Sequence, residues 1–139
     1  MNNFKYLFLI SILSLISNVS LAQTEKKRIY FLVDTLNIPK NDRIVEIDDN
    51  YFEVSYIFYC RCSAPTYKDL IFSFKSMKDK RITEIKKPPY AYISWKELLK
   101  ITSNTFLFKK KYELYITEIL PNNRYRTNKV NLVGYSIAD

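Results

Sequence analysis

Twelve consecutive residues, Tyr51–Cys62 (YFEVSYIFYCRC), constrain the fold of this chain more than any other stretch. They are rich in aromatic and β-branched side chains and free of Gly and Pro, the profile of a buried strand. Arg43–Asp48 (RIVEID) leads into them across Asp49-Asn50, a pair able to adopt the left-handed conformations of a tight hairpin. A two-residue turn, or a four-residue loop of the same register, sets Ile47 opposite Phe52 and Val45 opposite Val54. A three-residue loop would set Val45 against Glu53 and mix the two faces. In the first register Val45, Ile47, Phe52, Val54, Tyr56, Phe58, Cys60 and Cys62 share one face. The other face carries Glu46, Glu53, Ser55 and Arg61, together with Ile57 and Tyr59.

The remaining elements follow from the same periodicities. Ile29–Val33 is a short buried strand, Leu70–Met77 an alternating one, and Arg81–Ile85 a further strand after a polar turn. Lys86-Lys87-Pro88-Pro89 forms a stiff extended piece. Ser94 and Glu97 make a capping box, and Ile93 and Leu98 are spaced for a hydrophobic staple. They begin one short helix over about residues 95–103, with Asn104 as its stop. The last hairpin is the best specified. A three-residue loop at Pro121–Asn123, with Asn123 left-handed, pairs Ile119 with Tyr125, Glu118 with Arg126, Thr117 with Thr127 and Leu114 with Val130. Tyr112, Leu114, Ile116, Val130 and Leu132 then face inward. About seven strands in runs of hairpins predict a mainly β fold: a single antiparallel β-sandwich or partly open barrel-like domain with one short helix.

Met1–Ala22 has the three parts of a secretory signal peptide: Lys5 as a weak basic region, the apolar Tyr6–Ile16, and Ser20-Leu21-Ala22 as the cleavage site. Gln23–Asp139 is then one β-rich domain, exported to the periplasm, the cell surface or the medium. Removal of the leader takes away Lys5 and no acid, so the net charge of +8 falls by one. Phe, Tyr, Met, Ile, Asn and Lys make up 66 of the 139 residues, all with AT-rich codons. Base composition therefore accounts for much of the basic, tyrosine-rich character before any ligand is invoked.

The chain has no His and a single Gly. The first absence removes the usual general base and every Ser-His or Cys-His nucleophile. The second removes glycine-rich phosphate loops and dinucleotide fingerprints. Neither a metal nor a cofactor is expected. Cys60 and Cys62 lie at strand spacing, where a bridge needs a bulge or bend. A candidate disulfide, two buried thiols and a bond to another chain all stay open, each with a structural role. Glu46 and Glu53 face each other in the chosen register, so they form either a carboxylate dyad or a pair neutralised by a neighbouring Lys or Arg. Tyr90 and Tyr92, after the two prolines, form a candidate contact loop or the approach that anchors the helix. Lys109, Lys110 and Lys111 offer weak contact with anionic surfaces, and no nucleic-acid module accompanies them. The expectation is an exported, non-catalytic protein that binds a partner protein or a cell-envelope component. The alternatives are a carboxylate-dependent hydrolase, using Glu46 and Glu53 or Asp34 with one of them, and a carrier of an apolar ligand between its sheets.

Overall fold

A computed structural model describes residues 25–59 and 68–137. The expected leader Met1–Ala22 and the Cys60/Cys62 pair lie outside the described residues. Strands β1 (Lys27–Val33), β2 (Val45–Asp49), β3 (Glu53–Phe58) and β4 (Lys68–Lys75) precede two helices, α1 (Trp95–Thr102) and α2 (Thr105–Lys111). Strands β5 (Tyr112–Leu120) and β6 (Arg124–Ile137) complete the chain. The six strands form one sheet in the order β1-β5-β6-β4-β3-β2.

The sheet is mixed, which corrects the expectation of an antiparallel one. β1 runs parallel to β5, from Lys27 opposite Tyr112 to Val33 opposite Glu118. Every other pairing is antiparallel. Short hairpin loops force antiparallel neighbours, but between β1 and β5 the chain passes through three strands and both helices. So long a connection can return it in its starting direction. The expected strand at Arg81–Ile85 reduces to one bridge, between Glu84 and Tyr125. Ile82 and Ile85 there are exposed, while Arg81 turns its side chain inward.

The sheet does not close, because β1 and β2 are both edges, yet it curls strongly. In a flat sheet β1 and β3, four strand spacings apart, would be about 19 Å from each other. Instead the rings of Phe31 on β1 and Phe58 on β3 meet at 5.5 Å. β6 makes this possible by serving both halves: Arg124–Val130 pairs with β5 and Asn131–Ile137 with β4. Its pairing slips by one residue at Val133, between Gly134 opposite Ile71 and Leu132 opposite Phe72. A bulge of this kind increases the local twist and bends the strand.

The concave side holds one core. Val54, Tyr56 and Phe58 of β3, Phe72 of β4 and Ile116 of β5 are completely buried there. Trp95 enters the core at the start of α1, stacked on Phe58 at 5.2 Å. Leu98 and Phe108 bring one buried apolar side chain from each helix. The capping box of α1 is formed on both sides, Ser94 Oγ accepting from Glu97 N–H and Glu97 accepting from Ser94 N–H. The helix ends at Thr102 with Ser103 as its C-cap, one residue before the expected stop, and the Asn104 side chain accepts from Leu107 N–H and caps a second helix. The residue read as a stop is therefore a start, and the single expected helix becomes two.

The β5–β6 hairpin has the register read from sequence, with Glu118 opposite Arg126 and Thr117 opposite Thr127. Its loop departs in one respect, since Asn122 (φ 61°) and Asn123 (φ 55°) are both left-handed. Left-handed backbone costs a residue with an ordinary Cβ roughly 1–2 kcal/mol, and Asn less. Asn122→Ala and Asn123→Ala should each lower stability by about 1 kcal/mol in urea unfolding, whereas the corresponding Gly variants should not.

Candidate functional site

The first hairpin pairs in a different register from the expected one. Val45 lies opposite Phe58, Ile47 opposite Tyr56 and Asp49 opposite Val54, a shift of four residues. A shift of four preserves which residues share a face, so Val45, Val54, Tyr56 and Phe58 still point inward. It does widen the loop and expose Phe52, which is 65% accessible instead of facing the core. Asn50 fixes the loop, its side-chain oxygen accepting from the N–H groups of Phe52 and Glu53.

Glu46 and Glu53 are consequently not partners. Glu46 lies opposite Ile57 and accepts a hydrogen bond from the Tyr59 hydroxyl. That bond, followed by burial, pushes the Tyr59 phenol up to about 12. Glu53 lies opposite Lys75 of β4. Asp34 is taken up by its own turn, accepting from the N–H groups of Leu36 and Asn37 and from the Asn37 amide. The backbone and side-chain bonds from Asn37 hold its carboxyl below the usual value. A groove of about 410 Å³ beside β2 contains Glu46, Lys40, Arg43 and Tyr59, but neither Glu53 nor Asp34. No group of three or more Cys, Asp or Glu side chains suited to a metal occurs among the described residues.

A polar cluster inside the curl contains the expected Glu118–Arg126 pair and joins to it Asp49 and Arg81, which the sequence reading did not connect. Arg126 donates to Glu118 at 2.6 Å and to Asp49 at 3.1 Å, and Asp49 is shared with Arg81. Arg81 also donates to the carbonyls of Asn50, Tyr51 and Ser76, closing the end of the first hairpin. The Tyr56 hydroxyl reaches Glu118 at 3.4 Å. Both guanidinium groups lie near the Phe74 ring, at 5.7 Å and 5.9 Å. Burial opposes ionisation of Asp49, but the hydrogen bonds and charges of Arg81 and Arg126 outweigh it and hold the carboxyl below its usual value. Burial, reinforced by the Glu118 charge, pushes the Tyr56 phenol well up, so it stays a neutral donor. Two acids and two arginines leave the cluster neutral. Its chemistry is to hold β2, β5 and β6 together.

The signal for this cluster was present in the sequence. Glu118 has the same parity as Leu114 and Ile116, so period-2 alternation already aims it, and its partner Arg126, at the core. A pH prediction follows from Asp49. A carboxyl whose folded pKa is depressed adds stability above its ordinary value of 3.8 and loses it as pH falls through the lower, folded value. Melting temperature should therefore fall steeply below about pH 4. Asp49→Asn should melt lower at neutral pH and show a shallower acid limb.

Outside the curl, four tyrosines assemble on the face of β1 and β5. Tyr90 stacks on Tyr30 at 4.0 Å and 9°, Tyr30 meets Tyr115 at 5.2 Å, and Tyr90 meets Tyr92 at 6.2 Å. The segment that delivers Tyr90 and Tyr92 is bridged to β6 at Glu84 and to β1 at Tyr92. With β5 between those strands, residues 84–92 form a strap across the outer face of the sheet. Pro88 is buried in it, and Tyr92 donates to the Pro88 carbonyl at 3.2 Å. Lys87 Nζ sits 5.3 Å from the Tyr92 ring centre. The strap thus anchors the approach to α1 while leaving Tyr90 36% exposed. Lys109–Lys111 form the last turn of α2 and are all exposed.

A comparison of the chain with protein-family models, with curated proteins and with solved structures finds no match.

Proposed function

We propose that the protein is exported and works as a non-catalytic binding module, its partner being a protein or another component of the cell envelope. The tyrosine face is its contact surface. The observation that carries this reading is the stacking of Tyr30 on β1 with Tyr115 on β5 and with Tyr90, which the proline-stiffened strap lays against them. Tyrosines fixed in this way offer large amphipathic contact area with little rotamer freedom left to lose. The acids weighed for catalysis, by contrast, do not converge. Glu118 and Asp49 serve the arginines, Glu97 the helix cap, Asp34 a turn, and Glu46 and Glu53 lie apart. Export rests on the leader-like Met1–Ala22, with cleavage before Gln23. The fold reading that goes with this function is a partly open barrel, in which one continuous sheet curls until β1 and β3 touch.

Tyr90→Ser combined with Tyr92→Ser tests the contact surface. The exported wild-type protein should co-purify a discrete component from envelope extract, and the double variant should lose it while melting within a few degrees of wild type. Undiminished recovery by a folded double variant would overturn the assignment.

A further inference from the structure

We propose that α2 docks on an anionic membrane surface, entering the headgroup layer with Phe106 and Leu107 and setting Lys110 and Lys111 against lipid phosphates. The orientation of the helix is fixed by Phe108, which is 4% exposed and lies 6.1 Å from the rings of both Phe72 and Tyr112. At about 100° per residue, Phe106 and Lys110 then point almost directly away from that core contact, Leu107 lies roughly at a right angle to it, and Lys111, exposed at the end of the helix, flanks it on the Leu107 side. Phe106 with Lys110, and Leu107 with Lys111, are i,i+4 neighbours.

Folding explains the lysines only. They occupy the last turn, where the negative end of the helix dipole favours cations. It does not explain Phe106 at 73% and Leu107 at 42% exposure, two adjacent large apolar side chains beside three cations. Apolar residues that enter the interface, with lysine stems lying along them and ammonium groups reaching phosphate, account for both features. The surroundings share the charge. Lys96 and Lys100 of α1 are exposed, and the nearby acids are engaged, Glu97 in the α1 cap and Glu113 with Lys129 and Arg28. A groove of about 370 Å³ next to α2 is lined by Lys26, Lys109 and Lys129 together with Glu113, Phe108 and Tyr112. Among the described residues no helix is long and apolar enough to cross a membrane. This site is separate from the tyrosine face, and either can fail without the other.

Vesicle co-sedimentation of the full chain tests the proposal, comparing pure phosphatidylcholine with vesicles containing about a third phosphatidylglycerol. Wild type should bind the anionic vesicles, less so as salt rises, and should ignore the neutral ones. Lys110→Gln with Lys111→Gln should weaken binding about twenty-five-fold, from roughly fivefold for each lysine at the surface. Phe106→Ser with Leu107→Ser should weaken it at least about tenfold. All four side chains are exposed, so neither pair should change the melting temperature. Equal binding to neutral and anionic vesicles would overturn the proposal, as would a Gln pair that binds like wild type. Capture by heparin with no binding to vesicles would also overturn it, replacing the membrane by an acidic polymer.

Discussion

Arg126→Met should destabilise the protein by about 3–5 kcal/mol, because it leaves Glu118 buried without its cation. Glu118 is 7% exposed, and the Tyr56 hydroxyl that also donates to it, at 3.4 Å, is a neutral phenol. The same substitution removes one of the two arginines that hold Asp49. A stability of about 5–15 kcal/mol leaves little margin for such a loss. Adding Glu118→Leu to Arg126→Met should recover most of the deficit, since an apolar pair of similar volume carries no desolvation cost. Urea unfolding of the wild type, the single variant and the double variant gives the comparison directly. A single variant within about 0.5 kcal/mol of wild type would mean that the pair is solvated.

Phe58→Ala should be as damaging, at about 3–5 kcal/mol. Phe58 is fully buried and its ring meets Phe31, Phe72 and Trp95, so the truncation opens a void where β1, β3, β4 and α1 converge. Phe52→Ala, six residues earlier, should change stability by no more than about 0.5 kcal/mol. The sequence pattern assigns both rings to one inward face. The difference arises because Phe52 lies in the hairpin loop, beyond the last paired residues, Asp49 and Val54.

That contrast indicates what the sequence made legible. Period-2 alternation assigns faces reliably, because a register shift by an even number leaves the faces intact, and the inward set of β2 and β3 survived a four-residue shift. It does not assign register. Asp49-Asn50 looked like a two-residue turn, but Asn50 instead organises a wider loop through its side-chain oxygen. In the last hairpin four cross-strand pairs agree on one register, and the structure has it. The parallel β1–β5 pairing was not legible, since it depends on a long connection and on no local signal. The second helix was hidden because Thr105–Lys111 is short and ends in three lysines, and Asn104 reads as an ending alone. The tyrosine face was half legible. Tyr90 and Tyr92 stood out beside the prolines, but Tyr30 and Tyr115 reach them only across the parallel pairing.

The most direct test of the tyrosine face as contact surface is photo-crosslinking of the full chain expressed in cells. Benzoylphenylalanine placed at position 90 should give one discrete adduct with an envelope component, and at position 82 it should give none. Ile82 is 79% exposed on the same connection and therefore reports random encounter. Adduct patterns that match at the two positions, or none at position 90, would contradict a contact surface built on Tyr90.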